Sequence, residues 1–215
     1  MAITNNLYVI AAICGNFYQE STVNPGVWED LRVGAPGYGL GQWTNNEQTS
    51  RRTALFNYLH DNNYAIDSGE GQLNFLVYED LWIPSLIQPS AYNTLTDYFN
   101  STSTNLSDLV YEFMYHWEGI NDGSYTIRYG AALDFYNAFI NDTGVRTPWH
   151  SSNSFLRLEY ESTDNALLIK DFFTGETPPE PPTPPEPYEP TDEEIVAIFK
   201  YLLKKGGRNG VHIII

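Results

Sequence analysis

Basic residues are scarce in this chain, and so are cysteine and histidine. Lysine and arginine together number 11 against 27 aspartates and glutamates, a formal net charge of −16 at pH 7. Residues 1–176 alone hold 21 acids and 7 bases. A body of that sign repels phosphate backbones and anionic membrane surfaces, which sets nucleic acid aside as a partner. An anionic bacterial wall repels it as well. The single cysteine, Cys14, excludes an intrachain disulfide. Four histidines without ligand-like spacing suggest no zinc site, so neither metal nor cofactor is expected. Long apolar runs are missing too. The stretch LYVIAAIC, residues 7–14, is too short and too polar at its flanks to span a bilayer. With no basic region before it and no convincing cleavage site, it reads as no signal peptide either.

What the chain does have is enough apolar matter for one sizeable core plus appendages. Of 215 residues 42% are hydrophobic and 15% aromatic, which points to a folded globular body. Tyrosine and tryptophan faces suit sugar rings, but they also fill cores. The periodicity is mainly helical. A first helix is expected from about Asn5 to Glu20, with Thr4 as its cap and Ile10, Ile13 and Phe17 on one face. Residues 22–43, rich in glycine and proline, read as loop and small hairpin. Thr44 and Glu47 have capping-box spacing, which starts a second helix just after Trp43. Three further helical faces follow: Leu73, Leu76, Val77 and Leu81; Leu106, Leu109, Val110, Phe113 and Trp117; then Ile127, Ala131, Phe135, Ala138 and Phe139. The fold class is therefore mainly α with a small β or irregular lobe, filling residues 1–148.

Residues 149–176 alternate more and are expected to add a strand or two. Residues 177–190 hold 8 of the 13 prolines and form a spacer, extended over roughly 40 Å at about 3.1 Å per residue. Residues 191–215 begin with a compact helix signature: Thr191 and Glu194 as capping box, Lys204 and Lys205 in the last turn, Gly206 as cap. Its stripe of Ile195, Ile198, Phe199 and Leu202 is too small to form a core alone, so it is expected to dock on another protein or on itself.

The chemistry is sought at Glu20. A carboxyl at a helix C-terminus feels the negative end of the macrodipole, and aromatic neighbours such as Phe17 and Tyr18 add desolvation. Both disfavour ionisation, which suits a general acid near neutral pH; a solvated helix-end glutamate is the alternative. Cys14, on an apolar helical segment without a nearby cation, reads as a buried inert thiol. The sequons at Asn100, Asn105 and Asn141 carry no weight without a secretory route.

The segment GNFYQESTVNPG followed by GYGLGQWT resembles the paired motif of phage tail lysozymes, peptidoglycan-cleaving members of the lysozyme-like superfamily. The later FMYHWEGINDG and RYGAALDFY are similar to that family's closing segments, and the likeness covers roughly residues 1–145. It implies a lysozyme-like α+β domain and a virion-associated glycoside hydrolase acting on host peptidoglycan. Glu20 takes the place of the catalytic acid. Gln42 would hydrogen-bond sugar substituents, Trp43 would stack or pack, and Gly37, Gly39 and Gly41 would admit the glycan close to backbone. Tyr38, Tyr115 and Trp117 are further cleft candidates. For an inverting hydrolase a second carboxylate is needed about 6.5–9.5 Å away, and Glu29 and Asp30 are the natural candidates. Glu118 is expected in a structural or cleft-lining role, paired with Arg128. Three functions follow: a muramidase cutting the β-1,4 bond between N-acetylmuramic acid and N-acetylglucosamine, a lytic transglycosylase with the same acid, or an idle tail component that only binds glycan or acts as scaffold.

Overall fold

A computed structural model describes residues 2–47, 49–86, 88–142, 146–154 and 161–176. The proline spacer and the terminal helix expected at 177–215 lie outside the described residues. Seven helices and one two-stranded sheet follow in chain order. Helix α1 (Leu7–Ser21) leads through a tight turn at Glu29–Leu31 into strands β1 (Gly37–Tyr38) and β2 (Trp43–Thr44). Then come α2 (Arg51–Asp61), α3 (Gly69–Glu79), α4 (Leu95–Phe99) and α5 (Leu106–Phe113). A π-helical turn (Met114–Glu118), α6 (Tyr125–Ile140) and α7 (Ser162–Thr174) complete the described body.

Helix α1 is the axis of the molecule. Every residue from Val9 to Phe17 is fully buried, so the expected single apolar face of Ile10, Ile13 and Phe17 is a helix enclosed on all sides. It packs against α5, α6 and α7. Its crossing with α6 is close because Gly15 has no side chain: a Cβ there would collide with the Arg128 carbonyl and lie 2.6 Å from the Ala132 Cβ. The cap is Asn6 rather than Thr4. The Asn6 Oδ1 accepts from Tyr8 N–H at 3.0 Å, while its Nδ2 donates to the carbonyls of Ser101 and Ser103.

Three other expectations are corrected. Thr44 caps no helix; it pairs with Gly37 in the antiparallel hairpin and donates from its hydroxyl to the Gln42 carbonyl at 2.7 Å. Helix α2 accordingly begins only at Arg51. Residues 162–174 form α7 and not a strand. Ala166, Ile169 and Phe173, all fully buried, fit a helical stripe that the apolar run around them had masked. On helix α6 the expected Phe135 and Phe139 point inward, but in its first half Arg128 and Ala132 take the place expected of Ile127, which is 54% exposed, and Ala131. The inward stripe thus begins with a cation. The face of α5 (Leu106, Leu109, Val110, Phe113) is buried as expected, and so are Leu73 and Leu76 of α3, while Val77 is half-buried and Leu81 lies beyond the helix end at Glu79. Among the described residues no helix is long and apolar enough to cross a membrane.

Candidate active site

The chain leaves α1 abruptly, and that exit places Glu20. Thr22 takes a left-handed conformation with its N–H turned back to the carbonyls of Phe17 and Tyr18. The Ser21 hydroxyl donates to the Leu40 carbonyl at 2.8 Å, tying the helix end to the hairpin lobe. Asn24 Nδ2 donates to the Ser152 carbonyl at 2.7 Å, and its Oδ1 accepts from Gly26 N–H at 2.9 Å. The segment after Glu20 is therefore a clamp that holds the last helical turn against two other parts of the fold.

Glu20 opens onto a cleft of about 550 Å³ between the helical body and the hairpin lobe. Glu29, Asp30, Gly41, Gln42, Arg51 and Glu118 share its lining. One Glu20 oxygen, Oε1, accepts from Nη2 of Arg128, a residue with no exposed surface. The same guanidinium donates to Ser124 Oγ at 2.8 Å and to Asn16 Oδ1 at 3.0 Å, which fixes its orientation. Burial pushes the Glu20 carboxyl above the ordinary glutamate range; Arg128 pulls it down, and the Asp122 and Glu29 charges push it further up. Desolvation dominates, as the sequence suggested. The counter-charge is the unforeseen part.

The expected second carboxylates both face this cleft. Glu29 is exposed and its Oε2 accepts from Gly37 N–H at 2.9 Å. Asp30 is exposed and sits at a φ of 52°, in the left-handed region, followed by Leu31 at 55°. Gln42 also lines the cleft, but its Nε2 donates to the carbonyls of Gly39 at 3.0 Å and Val27 at 3.3 Å. That amide holds the hairpin turn.

The aromatic candidates lie behind the cleft wall. Trp43 has no exposed surface; its ring packs edge-on against Phe75 and Trp117, and its Nε1 donates to Glu79 Oε2 at 3.3 Å. Trp117 is 2% exposed, stacked on Phe113 with the Arg51 guanidinium 4.6 Å above its ring. Tyr38, also 2% exposed, packs against Trp28 and Phe56. None of the three offers a face for a sugar: Trp43 packs, one of the two roles the sequence left open, and Tyr38 and Trp117 belong to the core and not to the cleft. Tyr115 keeps part of its surface but stands by Tyr111 and His116, outside this cleft. Gly39, at a φ of 78°, is buried against the Gln72 amide and is not part of the lining. Gly41 does line the cleft, and a Cβ there would collide with the Trp117 ring.

Glu118 lines the cleft, as expected, but without its expected partner. It does not pair with Arg128, which is taken by Glu20. Its Oε1 is buried without a hydrogen-bond partner. Burial first, then the Glu20 charge, pushes its carboxyl well up; Arg128 and Arg51 offset part of this. The signal for it was the π-helical turn itself, a feature frequent at functional sites, and no residue pattern announces one. Cys14 is buried, and burial pushes its thiol up, as expected of an inert thiol. Among the described residues no group of His, Cys, Asp and Glu has the geometry to hold a metal ion.

A mainly helical body with a small hairpin lobe, and a half-buried helix-end glutamate in the cleft between them, is the frame of a lysozyme-like protein. The chain belongs to the phage tail lysozyme family, whose model matches residues 6–139. It is also 35% identical over 72 residues to "Morphogenesis protein 1" of Bacillus phage B103, a match covering 33% of this chain. The match spans only 18% of that relative's length. The chain is thus a lysozyme-like phage protein.

Proposed function

We propose that the protein is a virion-associated muramidase that cleaves the β-1,4 bond between N-acetylmuramic acid and N-acetylglucosamine. The observation that carries this reading is Glu20, desolvated at the end of an enclosed helix yet open to the cleft. Protonated Glu20 donates to the glycosidic oxygen as the bond breaks, and a carboxylate across the cleft activates water. Asp30 is free for that role in a way Glu29 is not, because one Glu29 oxygen already accepts the Gly37 N–H. The same constraint on Glu29 supports a second reading. A lytic transglycosylase needs only the acid, since the sugar's own hydroxyl closes the ring. Residues 191–215 fit attachment to a tail protein or self-association, through the apolar stripe of Ile195, Ile198, Phe199 and Leu202.

Digesting purified peptidoglycan and weighing the fragments separates these readings. Reducing-end muramic acid is the expected product. Ends carrying 1,6-anhydromuramic acid would establish the transglycosylase, and an intact wall would contradict both in favour of a scaffold role.

A further inference from the structure

The cleft floor holds one more acid than the reaction above uses. Five elements bring together three carboxyls and two guanidiniums: Glu20 from α1, Glu79 from α3 and Glu118 from the π-helical turn, with Arg51 from α2 and Arg128 from α6. Both cations are already engaged. Arg51 grips Glu79 through Nε–Oε1 at 2.7 Å and Nη2–Oε2 at 2.8 Å. Arg128 holds Glu20. Glu118 is left over, lining the cleft with its Oε1 shut away from solvent and unanswered by any donor.

An ionised carboxylate at that place is disfavoured by the loss of water, by the missing donor and by the like charge of Glu20. Two guanidiniums neutralise two carboxylates, and the third is neutral only with a proton on it. We propose that Glu20 and Glu118 carry one proton between them at neutral pH, Glu118 being the positioning residue that keeps Glu20 available as an acid. This rests on Glu20 being the catalytic acid. Taking the last proton from the pair leaves two negative charges in one cleft, which requires a higher pH than stripping a lone glutamate beside Arg128. Asp122 and Glu29 push on Glu20 in the same direction, but both are exposed and screened by solvent. His116, on the same turn, contacts the Ile83 carbonyl through Nδ1 at 2.8 Å and has Nε2 3.7 Å from Glu112, beyond hydrogen-bond reach, and Glu79 is neutralised by Arg51.

The test is Glu118→Gln, which keeps the shape and cannot ionise. Its pH–rate profile on peptidoglycan, scaled to its own maximum, should show the alkaline limb moved down relative to wild type. An unmoved limb, or an equal loss at every pH, would overturn the proposal. Stability gives a readout independent of turnover. A carboxyl whose folded-state pKa is raised binds its proton more tightly folded than unfolded. Its stabilisation is full below the ordinary glutamate value of about 4.3 and is lost as pH rises. Wild type should therefore lose more melting temperature than Glu118→Gln between there and neutrality, and parallel curves would overturn the proposal. Glu20→Gln separates the two claims. If that variant still digests, the catalytic-acid reading fails; if it is dead while Glu118→Gln is unshifted, only the shared proton fails.

Discussion

Arg128 is a buried cation whose three partners, Glu20, Asn16 and Ser124, decide where the acid stands. Replacing it with methionine strands the Glu20 carboxyl without its counter-charge, and breaking a buried pair from one side costs about 3–5 kcal/mol. Denaturant unfolding of Arg128→Met should show a loss of that order. Because Arg128 lowers the Glu20 pKa, its removal should also move the alkaline limb of activity upward, opposite to Glu118→Gln; an unchanged limb would show that the ion pair does not tune the acid. Glu20 was legible in the sequence because a helix end and a motif coincide there. Its partner was not, since the two residues are 108 positions apart and meet only through the α1–α6 crossing. The tryptophans stayed undecided for a different reason. A packed ring and a sugar-stacking ring are the same residue type, and only the wall built in front of Trp43 and Trp117 separates them.

The α1–α6 crossing sets the site at the level of elements. Gly15→Ala gains about 1 kcal/mol of helix propensity, but it drives a methyl into the Arg128 carbonyl and the Ala132 Cβ. Overpacking costs about 1–3 kcal/mol, and an obstacle made partly of backbone calls for the upper end. A net fall in stability of about 1–2 kcal/mol by denaturant unfolding is expected, with reduced turnover as Arg128 shifts. A gain in stability would show that the crossing has slack. Periodicity revealed α1 and the faces of α5 and α3, where the inward residues are mostly apolar. It misplaced α6 because the inward stripe begins at Arg128, and it missed α7 because a short apolar run fits strand and helix alike. The Thr44–Glu47 spacing was a true capping pattern taken over by the hairpin.

At the scale of the whole molecule, an acidic body of net charge −14 over residues 1–176 gains nothing from the charge of an anionic wall. A tether would serve the muramidase proposed above, and the sequence of residues 177–215 is compatible with that role. Helix α7 closes at Gly175, and Glu176 still reaches Lys170 at 3.0 Å. A chain ending at Glu176 is therefore expected to melt with the full chain and digest soluble glycan fragments at the same rate, while losing self-association or entry into virions. Loss of digestion would place the tail in the catalytic body. The central claim is the identity of the acid, and one paired measurement bears on it most directly: turnover of purified peptidoglycan by wild type and by Glu20→Gln, with thermal unfolding of both. The account predicts a fall of about 10²–10⁴-fold with unfolding intact, the usual share of general acid catalysis. Near-native turnover by a folded Glu20→Gln would contradict it.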